Sequence, residues 1–188
     1  PEGLFLAILY YLGVRRGEAL GLKWDDFDFA ADQVHILRDI DFTGSTSSEG
    51  TLKTAAADRF IPVPAALREM LLHTPSGAPL PQASYKRMWS RLMVACGCVE
   101  WREIAPGTSR PDDILKQVKP TLTPHYFRHN YVTLLYESGV DPLIAMKIVG
   151  HTDYQTTANI YTHLKEETLR RASVNMEKVF AEREKVRE

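Results

Sequence analysis

Cysteine is scarce: the 188 residues hold two, Cys96 and Cys98. One Cys-x-Cys without a second pair excludes a disulfide framework and is a poor zinc signal, so both read as free thiols in a reducing compartment. An excess of charge of one sign is lacking too, with 23 Lys+Arg against 24 Asp+Glu and a formal net charge of -1. A strongly basic chain is thereby excluded, but a local basic face is not. No long hydrophobic run is present. Leu4 to Val14, broken by Gly13, falls well short of the roughly 20 residues that span a bilayer. It also lacks the basic flank and cleavage site of a signal peptide, so no membrane partner is expected and the location is read as cytoplasmic. A phosphate-cradling P-loop glycine pattern is absent, as are internal repeats. The chain opens at Pro1-Glu2-Gly3 with no initiator Met and enters a core-type helix almost at once, which reads as a fragment of a longer protein.

What is present is the balance of an ordinary globular protein, 44% hydrophobic and 25% charged. The length suits one domain, residues 1–188. Leu4 to Tyr11 reads as a buried helix stopped by Gly13, and Glu18 to Trp24 as a second. Val34, Ile36 and Ile40 alternate as a strand does over Gln33 to Ile40. Thr43 to Gly50 reads as a flexible loop. Arg59 to Val63 is β-rich, with Pro62 and Pro64 placing it at an edge. Helices are expected over Ala65 to His73, Ser84 to Cys96, Pro124 to Gly139, Pro142 to Val149 and Tyr154 to Tyr161, then a charged helix from Lys165 to about Arg183. Trp101 to Lys119 shows no period and reads mostly as loop. The fold class is therefore mainly α (α+β), with a small antiparallel sheet near the N-terminal end.

Four clusters could carry chemistry. Arg15 and Arg16 sit at a turn before a helix, with Glu18 close behind. The guanidinium fork suits phosphate because it donates two hydrogen bonds at once and stays charged. Alone, the cluster also reads as a capping turn with a weak surface ion pair. Lys53 follows at the edge of the expected sheet, where a lysine is normally just solvated but can donate a proton to a leaving group. His125 and Arg128 lie three apart, on one face of a helix entered through Thr123-Pro124. A helix N-terminus favours anions. His125 and His129 have metal spacing, but the zincin glutamate beside the first His is missing. Last come Gly150-His151 and, ten residues on, Tyr161; a lone His near a lone Tyr is usually structural.

Taken in order, these clusters closely resemble the tyrosine recombinase (phage integrase) family. The matching strings are GVRRGEALGLKWDDFDF, LKTAAADRFIPVP and TPHYFRHNYVTLLYESGVDPLIAMKIVGHTDYQTTANIYTHL, and the resemblance runs from about Leu4 to about Leu164. It implies that Arg15 and Arg128 grip a scissile phosphate, that His125 assists proton movement, and that His151 bonds a phosphate oxygen. It makes Lys53 the general acid for the departing 5′ oxygen, Tyr161 the nucleophile, and Glu18 a supporting residue. Double-stranded DNA is the implied partner, with a homo-tetramer expected on DNA and a monomer as an isolated fragment. No cofactor and no metal are expected. The family's N-terminal core-binding domain finds no counterpart in the chain, and the helix from Lys165 resembles one that packs on a neighbouring protomer. Two positions depart from the usual pattern, Leu12 for a Thr and Asn130 for a Thr or Ser, neither of them catalytic. A type IB-like topoisomerase and a non-catalytic DNA-binding module are the alternatives.

Overall fold

The computed structural model describes residues 2–43, 46–51, 58–74, 85–103 and 114–185. Helix α1 (Glu2–Leu12) leads to α2 (Arg16–Gly21) through Gly13. Gly13 has φ +60, and a Cβ there would lie 2.2 Å from the Tyr131 ring; glycine alone meets both conditions. A 3-10 turn at Trp24–Asp26 then gives way to β1 (Phe27–Asp28). The next strand, β2 (Gln33–Ile36), is the centre of a three-stranded antiparallel sheet in the order β1-β2-β5, where β5 is Arg59–Pro62. Val34 stands opposite both Phe27 and Ile61. The edge position read from Pro62 therefore holds, since a proline cannot donate to a further ladder.

Two readings of this region need correction. Gln33 to Ile40 is not one strand: the chain leaves the sheet at Leu37 and begins β3 (Arg38–Thr43). Arg38 makes that turn, donating from Nε to the Gly21 carbonyl at 3.0 Å and pairing with Asp26. The stretch read as a loop also contains a strand, β4 (Thr46–Thr51), paired antiparallel to β3 with Arg38 opposite Thr51 and Thr43 opposite Thr46. Its Ser, Thr and Gly residues carry no alternating apolar signal; the partner strand supplies the ladder bonds that extend them.

Helix α3 (Ala65–Leu72) and helix α4 (Tyr85–Ala95) follow. In α4, Tyr85, Met88, Trp89, Leu92 and Met93 form the buried face expected from their spacing. The stretch read mostly as loop after Trp101 holds structure at both ends. β6 (Val99–Trp101) pairs antiparallel with β7 (Val118–Pro120), and a single helical turn, α5 (Ile114–Gln117), leads into β7. Such three-residue strands are too short to show a period.

The last three helices are α6 (Pro124–Glu137), α7 (Pro142–Val149) and α8 (Tyr154–Lys185). The two helices expected at Tyr154 to Tyr161 and from Lys165 are one continuous helix of 32 residues, since nothing between them is a breaker. Around α1, whose Phe5, Ile8, Leu9 and Leu12 are fully buried, pack α2, α3, α4 and α6. A second, smaller core lies between α6, α7 and α8, built on Val132, Ala145, Val149 and Tyr161. The fold is thus mainly helical, with β1 to β5 near the N-terminal end and the short β6–β7 pair in mid-chain. None of the described helices is long and apolar enough to cross a membrane.

Candidate active site

Three chain segments meet at one groove: the turn into α2, the start of α6, and β3. The groove measures about 430 Å³ and is lined by Arg15, Arg16, Asp39, Asp41, His125 and Arg128 among others. The turn into α2 is fixed by Glu18. Its carboxylate accepts the Arg15 backbone N–H at 2.7 Å and Nη1 of the same arginine at 2.8 Å. Glu18 is 1% exposed. Burial by itself raises a carboxyl, but hydrogen bonds and charge from Arg59 and Arg15 outweigh it and hold Glu18 below its ordinary value. The neighbouring arginines are separated here. Arg15 turns to Glu18 and the Gly150 carbonyl, at 3.0 Å from Nη2, whereas Arg16 lies over the Tyr85 ring at 5.1 Å.

Pro124 opens α6 after Thr123. His125 and Arg128, three residues apart, both face the groove. Arg128 is nearly fully buried, donating to the Gly13 carbonyl at 3.1 Å and to that of Val149 at 2.7 Å. Its pKa is pushed down to about 9 by burial and by Arg15, with Glu18 opposing. It remains charged at neutral pH. Burial lowers His125 as well, helped by His129, Arg128 and Arg15. The His125 and His129 rings meet edge-on at 4.4 Å. Among the described residues no group of three or more His, Cys, Asp or Glu is placed to hold a metal ion.

Asp141 caps α7, accepting from the Leu143 N–H at 2.8 Å, and Gly150 closes the helix at φ +73. His151 comes next. Its Nδ1 shares a hydrogen bond with Oγ1 of the fully buried Thr157 at 2.8 Å. Its pKa is lowered to about 4 by burial and by the charges of Arg128, Arg15, His129 and Arg59. Arg15, His125, Arg128 and His151 therefore share one positive field, inside a chain of net charge -1.

Tyr161 stands apart. It is 8% exposed and belongs to the second core, edge-on to Tyr136 at 5.2 Å. It is not one of the groove's lining residues. Its hydroxyl is buried with no hydrogen-bond partner among the described residues, and burial, then Asp141, raises its pKa. Val132, its core neighbour, is one turn along α6 from Arg128, about 6 Å. Lys53 lies outside the described residues. Arg59 has no place in the sequence reading of the site, whereas Gly150 belongs to its Gly150-His151 block. The signal for Arg59 was its alternation with Ile61 and Val63 on the inward face of the strand.

The residues at 2–168 match the model of the phage integrase family. A tyrosine recombinase XerC-like protein of Caldanaerobacter subterraneus subsp. tengcongensis is 28% identical over 87% of this chain, which spans 45% of that relative's length. Among solved structures, the Tn1549 transposon integrase in complex with transposon right end DNA superposes with a TM-score of 0.61 at 22% identity, over 91% of this chain and 58% of that one. The XerA recombinase does so with a TM-score of 0.55 at 20% identity, over 93% and 56%. At such identities the likeness is one of fold. With the family model covering nearly the whole sequence, the chain belongs to the phage integrase family.

Proposed function

We propose that this chain is the catalytic domain of a site-specific DNA recombinase, acting through a 3′-phosphotyrosine intermediate. The observation that carries the reading is the convergence of Arg15, His125 and Arg128 on one groove, with His151 in the same field. Two guanidiniums, Arg15 and Arg128, beside two imidazoles able to donate hydrogen bonds match the charge and the oxygens of a phosphodiester.

In this reading the Tyr161 oxygen attacks phosphorus. The P–O5′ bond breaks, the phenolic proton leaves through His125 or water, and Lys53 protonates the departing 5′ oxygen. Negative charge on the non-bridging oxygens is met by Arg15, Arg128 and the His151 Nε2, because Nδ1 is engaged by Thr157. The covalent bond conserves the energy of the phosphodiester, so the reverse attack by a 5′-hydroxyl rejoins the strand without ATP or a cofactor. Attack requires Tyr161 to leave its seat in the second core. Duplex DNA is the substrate and a homo-tetramer on DNA the working assembly. Integration or excision of a mobile element is the role we assign.

The test uses a nicked duplex carrying the site that the protein selects from a random-sequence pool. Wild type should form an SDS-resistant protein–DNA adduct, equally well in EDTA, and Y161F should bind the same duplex and form none. An adduct in Y161F would sink the nucleophile assignment. A selected site that maps to the ends of the element encoding the protein would support the mobile-element role; one elsewhere in the chromosome would refute it.

A further inference from the structure

We infer that Arg59, on β5 and outside the groove, is a positioning residue that locks the Arg15 turn and the His151 loop in one register. The inference rests on the reading of the site as a phosphate-handling centre. Arg59 alternates with Ile61 and Val63 on the inward face and is 7% exposed. A guanidinium there is tolerable only if fully bonded. Nη1 and Nη2 reach the two Glu18 oxygens at 3.0 Å each, and Nε donates to the Ile148 carbonyl at 2.8 Å. Glu18 in turn fixes the Arg15 backbone and side chain.

The last carbonyls of α7 make the second half of the lock. Ile148, Val149 and Gly150 each give their oxygen to a different arginine: Arg59 at 2.8 Å, Arg128 at 2.7 Å and Arg15 at 3.0 Å. Those oxygens lie at the negative end of the helix and have no partner within it. Three cations thus hold the three residues that precede His151. The contact is close: a Cβ on Gly150 would come within 2.8 Å of the Arg59 guanidinium. Arg59 lines no part of the groove, so it acts on substrate only through Arg15 and His151.

The experiment compares wild type, R59K and E18Q/R59M, the double variant leaving neither Glu18 nor Arg59 behind as the unpaired half of their buried ion pair. The probe is the nicked duplex selected from the random pool, at saturation. Misplacing Arg15 and His151 should slow adduct formation by about 30-fold or more. The dissociation constant for the same duplex should stay within about threefold, because phosphate contacts elsewhere dominate binding. The His151 imidazole signal in NMR, assigned with H151Q, should shift in both variants while that of His73, at the end of α3, stays. Adduct rates within about threefold of wild type, with the His151 signal unmoved, overturn the inference. If wild type itself forms no adduct, it is the nucleophile reading that has failed. The His151 signal then decides alone: its shift supports the role of Arg59 and its constancy overturns it.

Discussion

A tyrosine hydroxyl buried without a partner is destabilising by about 1–3 kcal/mol, and Tyr161 carries one. The seat that holds it is therefore apolar packing on Tyr136, Val132 and Val149, with no hydrogen bond to break among the described residues. Y161F should accordingly abolish the adduct and leave thermal stability equal or higher. A melting midpoint several degrees below wild type would show that the hydroxyl has a partner after all. Arg128 spans the carbonyls of Gly13 and Val149 with two separate nitrogens, a geometry a single ammonium cannot copy. R128K should retain charge but slow cleavage by about 10²–10³-fold; single-turnover rates with the nicked duplex would measure it.

At the scale of elements, α7 is short and depends on its ends. Asp141 supplies the bonds at the start and Gly150 the left-handed turn at the finish. D141A should cost about 1 kcal/mol, a fall in melting midpoint of about 2–4 °C for a chain of this size. G150A should cost more than D141A. The left-handed backbone and the Arg59 guanidinium both oppose a Cβ. It should also slow cleavage, since His151 is the next residue. Thermal melts and the adduct rate, measured on the same two variants, separate the capping effect from the positioning effect.

At the scale of the whole molecule, one positive field is assembled from distant segments, and folding there suppresses protonation. The folded pKa of His151 is about 4 against an ordinary 6.5, and His125 is displaced in the same direction. Between those values the unfolded chain binds more protons than the folded one. Stability should therefore rise as pH climbs from about 4 to 6.5 and be fully present above that range. Glu18, held low, loses its contribution only as pH falls below 4.5. Denaturation midpoints across pH should show this slope, and H151Q should flatten it; an unchanged slope in H151Q would place the acid sensitivity elsewhere.

The sequence by itself determined most of the longer helices and the grouping of His125 with Arg128. Both are local, fixed by a 3.6-residue period and by a Thr-Pro helix start. It also carried the family, through the order of Arg15, His125, Arg128, His151 and Tyr161. It could not show β4, whose strand character comes from its partner, nor the continuity of α8. Tertiary structure alone decided three things. It turned Arg15, rather than Arg16, onto Glu18 and Gly150. It made Arg59 the buried tie among strand, turn and loop. It also seated Tyr161 in the second core rather than in the lining of the groove. Each depends on contacts between residues more than 40 positions apart or on competition for buried space. A one-dimensional pattern does not encode these, because a guanidinium or a phenol settles only where neighbours from other segments satisfy or exclude it.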